Sequence, residues 1–198
     1  MRTTLSACLP ALGLATLLLL LGLPTCSADD VPASDSIATE DGNLKIYPIN
    51  HATLALQWKD KTICVDPVGG AKPFQGLPKP DLILVTHIHG DHFSQETLAE
   101  LTGPNTKLVG PPAVIEKLPS DLLNRAIVLT NGQTEELLGI KIEAIPMYNI
   151  TPERLKFHTK GRGNGYVVTL GGRRIYLSGD TEDIPEMLVE NQGSHLNI

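Results

Sequence analysis

Hydrophobic positions first gather into short runs of strand length at Leu44–Ile49, Thr53–Trp58 and Thr62–Val65. The dipeptide Lys59-Asp60 between the last two predicts a tight hairpin. Between Pro67 and Pro80 the chain carries Pro67, Gly69, Gly70, Pro73, Gly76, Pro78 and Pro80, which predicts a long loop at a functional rim. Asp81 then opens a continuous apolar run to Val85, the pattern of a strand buried on both faces. Ser94 can cap a short helix to Leu101, with Glu96 near its positive end. A strand at Lys107–Val109 follows, then a helix opened by Pro111-Pro112 and reaching Leu118. Further strands are predicted at Ala126–Leu129 and, by alternation, at Ile140–Ile145. Tyr166–Leu170 and Arg174–Leu177, joined by Gly171-Gly172, predict a second hairpin. Strands with interspersed helices and no internal repeat point to an α/β or α+β layered domain.

The N-terminus follows a different pattern. Arg2 supplies a positive flank, Ala11–Leu23 is apolar, and Thr25, Cys26, Ser27 and Ala28 precede the acidic pair Asp29 and Asp30. That order predicts a secretory signal peptide over residues 1–28, cleaved after Ala28; the apolar stretch is short for a membrane-spanning helix. An alternative reading makes Leu23-Pro24-Thr25-Cys26 a lipoprotein cleavage box that acylates Cys26, although Pro24 and Thr25 suit such a box poorly. Export to the periplasm or the medium is expected, with a lipoprotein as the minor alternative. Residues 29–43, polar and small, read as a linker, and 44–198 as the domain. After cleavage only Cys64 remains of Cys8, Cys26 and Cys64, so no intrachain disulfide forms. Within its apolar run Cys64 reads as a buried small hydrophobe.

Composition narrows the function classes. At 198 residues, 41% hydrophobic and 19% charged, the chain fits one folded domain, or one domain plus a targeting segment. A net charge of -6 and a pI near 5.5 argue against a nucleic-acid binder, which needs a basic face.

The candidate chemistry lies directly after the buried strand. His87, His89, Asp91 and His92 fall within six residues. Alternation along a strand end places His87, His89 and Asp91 on one side, and Gly90 is expected to let the chain turn so that His92 reaches the same point. Imidazole and carboxylate ligands suit Zn²⁺, and also Fe or Mn²⁺.

His87-Ile-His89-Gly-Asp91-His92 resembles the HxHxDH signature of the metallo-β-lactamase superfamily. His51, Asp66-Pro67 and Ser178-Gly-Asp180-Thr181 resemble the branch containing the L-ascorbate-6-phosphate lactonase and the N-acylphosphatidylethanolamine phospholipase D. Tyr148-Asn149 through Phe157-His158 and Gly163-Asn-Gly-Tyr166 are similar to bacterial hydrolases of that branch. The resemblance spans Leu44 to Met187 and implies an αββα sandwich with a two-metal site at one edge. It implies His87, His89 and His158 on the first ion, Asp91 and His92 on the second, and Asp180 bridging both. Asp91 would also orient the nucleophilic hydroxide and pass a proton to the leaving group. His51, Tyr148 and Asn149 are expected to line the substrate pocket. Lys156, Lys160 and Arg162 make the loop around His158 locally basic. The sequon Asn149-Ile-Thr151, followed by Pro152, is read as chance.

The resemblance further implies a second half continuing past the Gly-Asp-Thr turn and delivering one more histidine to the second ion. Here the only histidine beyond Asp180 is His195, in a tail without a strand-like run, and it is not assigned as a ligand. A C-terminally incomplete sandwich would expose a sheet edge open to self-association. The expected function is therefore an exported hydrolase with a pair of metal ions, Zn²⁺ foremost, acting on a small ester, lactone, amide or phosphodiester. The alternative is a catalytically incompetent truncated fragment that binds at most one ion.

Overall fold

The computed structural model describes residues 31–190 and 195–197. The signal peptide expected over residues 1–28 and the lipid anchor at Cys26 lie outside the described residues. The first four strands, β1 (Asp35–Thr39), β2 (Gly42–Asn50), β3 (Thr53–Trp58) and β4 (Lys61–Val65), form an antiparallel meander. β5 (Leu82–Leu84), β6 (Lys107–Gly110) and β7 (Ala126–Val128) then add in parallel, giving a seven-stranded sheet in chain order. Parallel neighbours need crossovers rather than tight turns. Helix α1 (Gln95–Leu101) lies in the crossover between β5 and β6, and α2 (Pro112–Ile115) and α3 (Ser120–Leu123) in that between β6 and β7. The Ser94 side chain accepts the Thr97 amide at 3.2 Å and so caps α1. α2 starts at Pro112 but stops at Ile115, short of the expected Leu118, which is reached only by a single turn closed by Leu118 N–H on Ile115 O at 3.1 Å.

The second sheet holds β8 (Thr134–Leu137), β9 (Ile140–Met147), β10 (Gly163–Leu170) and β11 (Arg173–Leu177), all antiparallel, with β12 (His195–Asn197) parallel to β11. Gly171 and Gly172 turn the β10–β11 hairpin with φ of 52° and 76°, both left-handed, as a two-residue hairpin turn requires.

Side-chain alternation explains the layers. Ile63 and Val65 of β4 and Leu82 and Leu84 of β5 enter one cluster with Ile142, Tyr166, Val168, Ile175 and Leu177 of the second sheet. Cys64 and Ile83, one residue out of phase, join Leu98 and Leu101 of α1, Val114 of α2 and Leu122 of α3 on the opposite face. Burial on both faces is why these strands read as continuous apolar runs. Burial also pushes the Cys64 thiol up to about 12, fitting an inert core residue. Ile145, Val167 and Tyr176 cover the outer face of the second sheet together with Met187 of α4 (Pro185–Glu190). The stacking is helix, sheet, sheet, helix, the αββα sandwich expected. Among the described residues no helix is long and apolar enough to cross a membrane.

Several expectations need correction. The linker over 29–43 holds an edge strand, β1, paired from Asp35 with Ile46 to Thr39 with Gly42. Its polarity hid it, yet Ile37 packs on the core and Thr39 Oγ1 accepts the Trp58 indole N–H at 3.2 Å. β8 was also unforeseen, since Thr-Glu-Glu-Leu carries little apolar signal and is held by backbone pairing with β9. The tail expected to lack a strand contains β12, which pairs with β11 from Arg174 to Tyr176.

Candidate metal centre

The chain leaves β4, β5, β9 and β11 at one edge of the sandwich, and the site residues sit in the segments that follow. Cross-links between the sheets fix that edge. Tyr166 Oη donates to Val85 O at 2.8 Å, and the Asn164 backbone N–H to Thr86 O at 2.9 Å. Both residues are buried, so these bonds hold the start of the histidine segment against the second sheet.

Two groups of potential ligands assemble there. In the first, His87, His89, His158 and Asp180 each offer an atom, all within 4.8 Å of one another. His87 Nε2 lies 3.1 Å from His89 Nδ1, which lies 3.2 Å from His158 Nε2. Asp180 Oδ2 is 3.3 Å from His158 Nε2 and 3.8 Å from His87 Nε2. Ligands held at about 2.0–2.1 Å around a tetrahedral ion stand about 3.3–3.4 Å apart, so these separations suit a zinc-sized cation. The second group is His51, Asp91 and His92. His51 Nε2 is 3.3 Å from Asp91 Oδ2, and His92 Nε2 is 3.9 Å from the same oxygen and 3.2 Å from Asp180 Oδ1. Asp180 thus turns one oxygen toward each group.

The expected alternation applies to His87 and His89 and breaks after Gly90, because Asp91 joins His51 and His92 instead. Gly90 is not the reason the chain turns. The amides of His92 and Phe93 both donate to His89 O, at 3.0 and 2.8 Å, a helical turn that any residue tolerates, and a Cβ on Gly90 would meet open space. Glycine is needed instead at Gly179, whose φ is +59° and where a Cβ would lie 3.1 Å from Thr86 Cβ and 2.6 Å from Met147 Sδ. This close approach carries Asp180 into the cluster.

One residue without an expected role organises the second group. Asp66 ends β4 at a left-handed φ of 44° and is 1% exposed. Its Oδ1 accepts the Thr86 amide at 2.7 Å, while Oδ2 accepts the Thr86 hydroxyl at 2.6 Å and bonds His92 Nδ1 at 2.8 Å. His92 is thereby aimed with Nε2 into the site, where this buried nitrogen lies 3.2 Å from Asp180 Oδ1 and 3.9 Å from Asp91 Oδ2. An imidazole nitrogen set between two carboxylates is a donor set that suits a divalent cation. The sequence signal was Asp66-Pro67 at a strand end, visible but without a stated task. His51, also left-handed at φ 50°, was expected beside the site, and its ring is one of the potential ligands of the second group. Strain at both positions marks the edge as one the rest of the fold holds in place.

Electrostatics agree with a charge-hungry centre. Burial pushes His87 down to about 3, and burial likewise lowers His158. His92 is the exception: burial works to lower it, but contact with Asp180 and Asp66 holds it at about 10. Asp180 is depressed to about 2, foremost by its contact with His92. Burial raises Asp66 despite its bonds from His92 and Thr86.

The loop bearing His158 folds back onto the site. The Asn149 amide donates to His158 O at 2.9 Å, and its side-chain amide lies 3.1 Å from His158 Nδ1, so Asn149 sets where this histidine sits. Glu182 accepts the amides of Ile150 and Thr151 at 2.8 and 2.7 Å, tying the loop to the turn that carries Asp180. Tyr148 Oη donates to Glu186 at 2.9 Å and meets Lys160 at 3.3 Å, away from the ligating atoms. A cavity of about 270 Å³ opens beside the second group, with His51, Asp66 and Asp180 on its walls and Leu54, Val65 and Leu177 as apolar lining. β12 pairs His195 with Arg174, three residues before Leu177, so its backbone stands about 10 Å short of the site end of β11.

Residues 45–198 match the family described as beta-lactamase superfamily domain. A UPF0173 metal-dependent hydrolase from Thermococcus onnurineus is 30% identical over 155 residues, covering 75% of this chain and 66% of its own length. The crystal structure of a candidate metal-dependent hydrolase from Parabacteroides distasonis superposes with a TM-score of 0.70 at 39% identity, covering 78% of this chain and 69% of that one. A metallo-β-lactamase-fold protein from Bacillus subtilis, 18% identical, shares the fold with a TM-score of 0.57 over 73% of this chain and 61% of its own. The chain spans just under two thirds of the length of curated relatives it matches, 64% and 66% for two of them.

Proposed function

We propose, from the premise that this chain belongs to the metallo-β-lactamase superfamily, that it is a hydrolase dependent on two divalent cations. The observation that carries this reading is the pair of ligand groups sharing Asp180, with Nε2 of His92 set between the carboxylates of Asp91 and Asp180. His87, His89 and His158 with Asp180 Oδ2 would hold one ion; His51, Asp91 and His92 with Asp180 Oδ1 would hold the other. Imidazole and carboxylate donors favour zinc, with Mn²⁺ or iron also compatible. When bound, such a pair supplies a nucleophile at neutral pH and polarises the bond to be cut.

The protein's own residues do the remainder. Asp66 and Thr86 keep His92 in one orientation, and Asn149 does the same for His158. Asp91, whose side chain is 56% exposed, can carry a proton on its carboxylate between the site and the leaving group. The 270 Å³ cavity beside His51 offers room for a small substrate against an apolar wall. Ester, lactone, amide and phosphodiester bonds are all within reach of this machinery. The N-terminal pattern further supports export, with the mature chain starting after Ala28.

A second reading, binding of one ion without turnover, draws on the openness of the second group. His51 and Asp91 side chains are 59% and 56% exposed, whereas His87 is 5% exposed. Turnover of nitrophenyl esters and bis-nitrophenyl phosphate with added zinc or manganese separates the two. Metal-dependent hydrolysis abolished by chelation supports the first reading; tight binding of one ion with no turnover of any substrate supports the second.

A further inference from the structure

Cations are unevenly committed around the loop that bears His158. Arg154 pairs with Glu182 at 3.4 Å, and Lys160 pairs with Glu186 at 2.7 Å while also meeting Tyr148 Oη. Among the described residues Lys156 and Arg162 have no such partner. Lys156 makes only a ring contact, 5.0 Å above Phe157, and Arg162 is tied only through its backbone amide to Thr159 O. Both are exposed, on a chain whose net charge is -6 and whose neighbouring carboxylates are used on other bases.

These two cations share a cavity of about 110 Å³ with His87, His89 and His158, and Phe157 forms part of its wall. Liquid water takes about 30 Å³ per molecule, so the cavity holds about three to four water-sized groups, the bulk of a carboxylate or a phosphate. Histidines of the first ligand group and these two cations line it together. Among the described residues no carboxylate lines the cavity, and the nearest is Asp180 across the cluster, so an anion is the complementary occupant.

We infer that Lys156 and Arg162 form an anion subsite that selects substrates carrying a carboxylate or phosphate close to the scissile bond. The assignment deepens the hydrolase reading and rests on it for the identity of the bond cut. Arg162 can present a fork to two oxygens, and Lys156 adds a point charge from the loop. Both are specificity-determining residues, outside the ligand groups.

The test compares the wild type with K156A/R162A and with the charge-keeping K156R/R162K. The metal content of all three is measured first and is expected to be equal. Inorganic phosphate is then titrated into metal-free protein and followed by NMR. In parallel, KM and kcat are measured with zinc for 4-nitrophenyl acetate and for the same ester bearing a terminal carboxylate. The subsite account expects phosphate to bind about tenfold more weakly for each cation removed, with wild-type affinity largely restored in K156R/R162K. It also expects KM to rise only for the carboxylated ester, with kcat little changed. Phosphate affinity unchanged in K156A/R162A, or equal effects on both esters, would overturn it. Loss of phosphate binding in K156A/R162A when the wild type cleaves neither ester would uphold the subsite and count against the hydrolase reading alone.

Discussion

Replacing Asp66 by asparagine tests how the second ligand group is built. Asp66 Oδ1 accepts the Thr86 amide at 2.7 Å, and Oδ2 serves the Thr86 hydroxyl and His92 Nδ1 at 2.6 and 2.8 Å. Asparagine keeps an acceptor for the Thr86 amide but places an NH₂ where Oδ2 received His92. The Thr86 hydroxyl can rotate to His87 Nδ1, 3.0 Å away. His92 has one way to stay bonded: it must accept at Nδ1 and carry its proton on Nε2. That nitrogen then has no lone pair for a cation. Altering the partner that orients a ligating histidine typically costs about 10–100-fold in metal affinity, equivalent to about 1.4–2.7 kcal/mol. Alanine instead leaves the Thr86 amide and His92 Nδ1 as buried donors without acceptors, about 1–3 kcal/mol each, a serious fraction of a domain's stability. The assay is zinc titration against a chromophoric chelator, with thermal unfolding in EDTA run alongside. D66N should melt near the wild type and lose affinity for one ion, whereas D66A should melt far earlier. A D66N protein that holds both ions as tightly as the wild type would refute this account of His92.

Other consequences follow from the same geometry. In the metal-free protein His92 sits at about 10, so at neutral pH it is protonated and a cation must displace that proton. Affinity at the second group should therefore rise with pH, about tenfold per unit between roughly pH 7 and 9. Calorimetry in buffers of different ionisation enthalpy should show net proton release, and heats independent of the buffer would contradict it. Tyr166→Phe removes the bond to Val85 O and the acceptor for Asn164, both in a fully buried setting. It should cost about 1–2 kcal/mol in urea unfolding; a change under about 0.5 kcal/mol would mean these bonds do not brace the site edge. Gly179→Ala forces a left-handed alanine against Met147 and Thr86, so it should weaken binding of both ions through misplacement of Asp180. Unaltered ion binding in that variant would show that the turn adapts freely.

The parts of the fold legible in the sequence were those whose side chains are sorted by burial. Ile63–Val65 and Leu82–Val85 read as strands because their alternate residues enter two different apolar clusters, leaving no polar position. β1 and β8 were not legible, since edge strands are held by backbone pairing that leaves no mark on residue type. At the site, spacing brought out His87, His89, Asp91 and His92, but it could not say how the segment divides. The split after Gly90 arises from a helical turn closed on His89 O, which alternation along a strand does not contain. Asp66 and His51 lie 15 residues apart in sequence and far from the histidine run, and only the packing of β4 beside β5 brings Asp66 under His92. Likewise Asn149, expected to line a pocket, contacts His158, a relation set by a loop that folds back on itself.

The central claim is that two adjacent cation sites share Asp180. The direct measurement is metal bound per chain, by elemental analysis of monodisperse protein, for the wild type, H158A and H51A. The account expects about two ions in the wild type and about one in each variant, the first site emptied by H158A and the second by H51A. A wild-type protein that holds one ion or none, or an H51A variant that keeps both, would contradict it.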